Sequence, residues 1–105
     1  MIKVSILYPN RPGSRFDFDY YLNRHMPMTI EKLGGALKGV SVERGLTADT
    51  PDSPPLYVAM CHLLFDSVEA FLKAFTPHAA ALQGDIPNYT DVEPGIQISE
   101  VALSR

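Results

Sequence analysis

Tryptophan is absent from the 105 residues, cysteine occurs once, and positive charge is scarce. Each shortage excludes something. A single cysteine, Cys61, cannot form an internal disulfide, and a lone thiol in an apolar segment suits a reducing cytoplasm. No stretch approaches the roughly 18–20 apolar residues of a membrane span, so no membrane partner is expected. The opening Met1-Ile2-Lys3-Val4 lacks the basic, apolar and small-residue plan of a signal peptide. The 9 Lys and Arg against 12 Asp and Glu leave a net charge of −3. Phosphate recognition needs a basic face, so no nucleic-acid partner is expected either. A Gly-rich phosphate loop, a nucleophile elbow and a dinucleotide fingerprint are all missing; Gly34-Gly35 follows a helix instead of opening one.

What is present is 46% hydrophobic residues, enough for a core, in a chain the length of one domain, residues 1–105. From Ile2 to Tyr8, the residues Ile2, Val4, Ile6 and Tyr8 alternate with Lys3, Ser5 and Leu7, the period of a strand. Pro9 to Gly13 breaks it. A helix starts at Asp17 as N-cap. Phe18, Tyr21, Leu22 and His25 then share one helical face, which Thr29 and Leu33 extend. Pro27 lacks a backbone donor and predicts a kink just after His25. Gly34-Gly35 stops the helix.

A second strand is expected from Leu37 to Leu46, wet on one side. A loop follows to Pro55, longer than a hairpin turn. The third strand, Leu56 to Phe65, is apolar almost throughout, which predicts that both its faces are dry. Asp66 and Glu69 form a capping box for a helix burying Val68, Phe71, Leu72 and Phe75. Thr76-Pro77 begins a short helix that Gly84 ends. Residues Asp85 to Thr90 read as a loop, and Asp91 to Val101 as the last strand.

The order strand, helix, strand, strand, helix, strand predicts an α+β, ferredoxin-like fold. Right-handed crossovers give a four-stranded antiparallel sheet with the helices on one face and strands one and three central. The uncovered face of so apolar a third strand calls for a second copy packed sheet to sheet, a homodimer.

Four segments in this order resemble the EthD family. They are Val4-Ser-Ile-Leu-Tyr-Pro9, Phe16-Asp-Phe-Asp-Tyr-Tyr-Leu-Asn-Arg-His-Met-Pro27, Phe65-Asp-Ser-Val-Glu-Ala-Phe71 and Asp85-Ile-Pro-Asn-Tyr-Thr90. The family takes its name from a protein associated with ethyl tert-butyl ether degradation and belongs to the dimeric α+β barrel superfamily. The resemblance implies a ferredoxin-like subunit and a dimer. It implies no single reaction: the superfamily includes cofactor-free monooxygenases, lactone isomerases and haem-binding or haem-degrading enzymes, and fold does not decide chemistry.

Among side chains that carry chemistry, His25 is the foremost. It matches the His of the family's His-Met-Pro stretch, and its helical phase turns it toward the sheet. A neutral imidazole in an apolar cleft can act as a general base near neutral pH. The structural alternative is a buried histidine bonded to a tyrosine or a carbonyl. Tyr21 and Tyr89 are the candidates for holding a substrate oxygen. Tyr8, Phe18, Leu22, His78, Asp85 and Asn88 are candidates for substrate contact, with Pro87-Asn88 equally good turn chemistry. His62 shares a strand side with Val58, Met60 and Leu64, opposite Cys61, so the two cannot chelate one ion. No metal spacing and no haem motif is present, and no cofactor is expected.

These residues suggest a small enzyme acting on a small apolar or phenolic molecule. Its chemistry would be cofactor-free oxygenation, isomerisation or dehydration, with an oxidoreductase suggested by superfamily analogy. The alternatives are a non-catalytic accessory or metabolite-binding protein of a degradation pathway, and a haem-handling protein.

Overall fold

The computed structural model describes residues 1–105. Strand β1 spans Ile2–Pro9, β2 Gly39–Arg44, β3 Tyr57–Phe65 and β4 Gly95–Glu100. They form one antiparallel sheet in the order β2-β3-β1-β4, so the first and third strands are central. The second and last strands are shorter than their sequence patterns suggest, because pairing with β3 and β1 sets their ends.

One face of the sheet carries the core. Val4 and Tyr8 of β1 lie beside Ala59, Cys61, Leu63 and Phe65 of β3, all at most 3% exposed. The period-2 alternation places the other side chains of these strands on the opposite face. There Ser5, Leu7, Met60, His62 and Leu64 are half-buried, so within the chain only one face of β3 is dry. At the centre of this face Ser5 Oγ lies 2.8 Å from His62 Nδ1. Glu43 Oε1 lies 3.2 Å from His62 Nε2, outside hydrogen-bond alignment.

Helix α1 has three parts: an α-helical start Phe18–Tyr20, a π-turn Tyr21–His25, and an α-helical run Met26–Leu33. Asp17 caps it, its carboxylate accepting from the Tyr20 amide at 3.1 Å. The kink expected from Pro27 takes the form of the π-turn. Pro27 has no N–H for the Asn23 carbonyl, and its ring crowds that carbonyl. A turn widened by one residue, closed by the Met26 amide donating to Tyr21 O, relieves the crowding. Tyr21 then stands over both His25 and Met26, and all three are buried. The same widening moves Leu22 aside to 44% exposure, so its expected inward position is corrected. Gly34, at φ 60°, ends the helix in a conformation that disfavours a side chain.

Helix α2 spans Val68–Phe75 and helix α3 spans Ala79–Gly84, joined by a 3₁₀ turn at Thr76–His78. The N-cap of α2 is Ser67, not Asp66; its hydroxyl accepts from the Ala70 amide at 3.0 Å. Phe71 is the buried residue of α2, packed against Phe65 of β3, while Val68 and Leu72, expected inside, lie off that contact and are exposed. Residues Ile86–Asn88, expected as plain loop, form a 3₁₀ turn.

Candidate active site

The helices do not close fully over the sheet. Between them runs a cleft with about 70 Å³ open to water, inside an empty space of about 540 Å³ that includes its mouth. Its walls are mostly apolar, built from residues such as Val4 and Ile6 on β1, Leu63 on β3 and Phe71 on α2. The polar side chains on the wall are those of Tyr8, His25, Thr29, Gln83 and Tyr89, and no Lys or Arg is among the lining residues.

His25 sits on the π-turn at this wall. Its Nδ1 is 2.9 Å from Asp85 Oδ2. Asp85 belongs to the segment after α3 and is itself held from two sides. Tyr20 donates its hydroxyl to Oδ1 at 2.7 Å, and Asn88 donates its amide at 2.9 Å. Tyr21 stacks on the imidazole, with the rings 5.4 Å apart and 13° from parallel, and Tyr89 approaches it at 4.7 Å. The Thr29 hydroxyl donates to the His25 carbonyl at 2.9 Å. Orientation by Asp85 places the proton on Nδ1 and leaves Nε2, which has no protein hydrogen bond, as an acceptor.

Electrostatics agree with that assignment. Burial pushes the His25 pKa below its ordinary 6.5, and the nearby Asp85 carboxylate offsets only part of the shift. For Asp85, burial alone would raise the pKa. The hydrogen bonds from Tyr20, Asn88 and His25 outweigh it and hold the carboxylate below its ordinary 3.8. The site thus keeps a neutral base beside a charged carboxylate at neutral pH.

Both shifts act on stability in the same sense. Between the folded His25 pKa and 6.5 the unfolded chain binds more protons than the native one, so stability falls as pH drops through that window. The depressed Asp85 contributes stability above 3.8 that is lost on further acidification. In urea titrations between pH 7.5 and 3, His25→Asn is expected to remove the loss that begins near 6.5 and to keep the one below 3.8. An unchanged slope between 6.5 and 5 would contradict the buried neutral state of His25.

Of the residues singled out in the sequence, His25, Tyr8 and Tyr89 line the cleft. The Tyr8 and Tyr89 hydroxyls meet at 2.6 Å, so these two come together with His25 at one wall. Asp85 and Asn88, expected as substrate contacts, do not line the cleft: Asp85 bonds His25 Nδ1 from behind, and Asn88 bonds Asp85. Tyr21 lies beneath the imidazole and does not line the cleft; burial drives its pKa far above 10. Phe18 packs on Phe16 and lies under the Arg44 guanidinium at 4.0 Å, away from the cleft. Leu22 faces out, and His78 is half-buried in the turn between α2 and α3 without lining the cleft. Tyr20, Thr29 and Gln83 were not singled out for the site. Thr29, four residues after His25 on the same face, was visible in the helical period. Nothing local in the sequence marks Tyr20, whose partner Asp85 is 65 residues away. No group of three or more His, Cys, Asp or Glu side chains is placed to hold a metal ion. No helix is long and apolar enough to cross a membrane.

Fold and cleft together define an α+β protein of ferredoxin-like build, with an apolar cleft between sheet and helices. The EthD domain model matches residues 13–93, and the chain belongs to the EthD family. An EthD-like protein from Ralstonia eutropha JMP134 is 48% identical, with a TM-score of 0.94 over 99% of this chain and 94% of the other. An ethyl tert-butyl ether D family protein from Bacillus halodurans C-125 is 22% identical, with a TM-score of 0.66 over 95% and 97% of the two chains. HapK from Hahella chejuensis, 14% identical with a TM-score of 0.57 over 100% and 97%, shares the fold. No curated protein matches the chain.

Proposed function

We propose that this chain is a small cytoplasmic enzyme that moves a proton on a small hydrophobic or phenolic molecule, with His25 as the base. The observation that carries the proposal is the Asp85–His25 pair, 2.9 Å apart, whose free Nε2 sits at the wall of an apolar cleft. Such a pair supplies a base of fixed tautomer near neutral pH. Isomerisation, dehydration and cofactor-free oxygenation all begin with a proton transfer of this kind. Residues 1–105 act as one domain, and a second copy covers the open sheet face around Leu7, Met60 and Leu64.

The test is a thermal-shift screen of wild type and His25→Ala. The panel holds phenols and quinols, lactones, branched ethers with their alcohols, and haem. A ligand that binds only the native state raises the melting temperature by linkage. A class that stabilises wild type but not a well-folded His25→Ala supports the site. Equal shifts in both proteins point to a binding protein without proton chemistry at His25. A panel without any shift overturns the small-molecule reading.

A further inference from the structure

A base alone does not select a substrate; the donor that faces it does. Tyr8 and Tyr89 set their hydroxyl oxygens 2.6 Å apart, and both residues line the cleft. Burial keeps both phenols protonated, each raised above its ordinary 10. Two hydroxyls share one link, so one of their two protons is left over. With Tyr8 donating to Tyr89, the spare proton is that of Tyr89, on the cleft wall beside His25, whose ring is 4.7 Å away.

The wall also states what the ligand cannot carry. Without a lining Lys or Arg, nothing compensates a buried anion, and the Asp85 carboxylate behind His25 repels one. A group that both accepts from Tyr89 and yields a proton to Nε2 must therefore be neutral.

We propose that the cleft takes a neutral, enolisable ketone, whose carbonyl oxygen accepts from Tyr89 and whose adjacent carbon gives its proton to Nε2 of His25. This rests on the proton-transfer function above and commits it to a substrate class. The C–H bond breaks, and its electron pair becomes the C=C bond of the enolate. The carbonyl π pair moves onto oxygen, which Tyr89 holds by its hydrogen bond. The proton forms an N–H bond on His25, and the resulting imidazolium faces the Asp85 carboxylate. Return of the proton to the same carbon gives exchange with solvent. Return to a conjugated carbon gives isomerisation. Neither consumes an oxidant or a reductant.

The experiment compares three probes of similar shape at pH 8: acetophenone, ethylbenzene and benzoate. Wild-type protein is expected to bind acetophenone about fivefold to tenfold more tightly than ethylbenzene, the value of one hydrogen bond. Benzoate is expected to bind about tenfold or more weakly than acetophenone, as an anion in an uncompensated site. In D₂O the acetophenone methyl protons are expected to exchange faster with protein than in buffer. Tyr89→Phe, verified as folded by its melting curve, is expected to lower acetophenone affinity to that of ethylbenzene. Equal affinity for ethylbenzene and acetophenone, tighter binding of benzoate, or unaccelerated exchange would overturn the proposal; the wild-type series decides this without a variant. Binding of another class from the screen, lost in His25→Ala, while all three probes fail would overturn the ketone assignment and leave the proton-transfer function standing. Exchange that persists in a folded His25→Ala would overturn both.

Discussion

His25→Ala is expected to lower the rate of catalysed proton transfer by about 10²–10⁴-fold, the usual contribution of a positioned general base. The measurement is the rate of solvent-deuterium exchange into acetophenone, or turnover of whichever ligand the thermal-shift screen selects. The fold should survive, because alanine suits a helix interior and removes a polar group from the core. Asp85→Asn separates positioning from chemistry. An asparagine can keep the contact to Nδ1, yet it no longer favours the imidazolium that forms when the proton moves. The loss is expected in kcat rather than KM, and the acid limb of the pH profile should move to lower pH as His25 loses its carboxylate. A folded His25→Ala that retains its rate within twofold would remove His25 from the mechanism.

Phe65→Ala is expected to destabilise the protein by about 3–5 kcal/mol, the range for deleting a fully buried aromatic ring. Phe65 is 0% exposed at the end of β3 and packs edge-on against Phe71 of α2, with the ring centres 5.2 Å apart. The ring therefore joins the sheet to the second helix, and its removal leaves a void that the central strand cannot close. Against a total of about 5–15 kcal/mol for a small domain, the variant should be only marginally folded. Urea unfolding at 25 °C measures it directly. A loss below about 1 kcal/mol would mean that β3 and α2 collapse onto each other more freely than native packing density allows.

The open sheet face shows where sequence periodicity reaches its limit. Alternation along β3 correctly separates Cys61 from His62, because successive side chains of a strand must point to opposite faces. It could not show that Ser5 Oγ would meet His62 Nδ1 at 2.8 Å, since that contact depends on the register between β1 and β3, where Ser5 pairs with His62. Helix α1 shows a second limit. The 3.6-residue period placed Tyr21 and His25 inward, as found, and placed Leu22 with them. The π-turn that Pro27 provokes changes the period locally, and Leu22 leaves the face. On α2 the period grouped Val68 and Leu72 with Phe71, yet it is Phe71 that packs on Phe65 of β3 while the other two stay exposed.

The sequence by itself determined the order of elements, the central position of β1 and β3 and the stop at Gly34. These follow from local rules: period, turn chemistry, caps and crossover handedness act within a few residues or within one connection. The tertiary structure alone decided that Asp85 meets His25 Nδ1, that Tyr20 and Asn88 donate to Asp85, and that Tyr8 and Tyr89 share a hydrogen bond 81 residues apart in sequence. Each of these contacts joins segments that no local preference brings together. They form only once burial of Val4, Leu63, Phe65 and Phe71 has fixed the helices on the sheet, and with them the walls of the cleft.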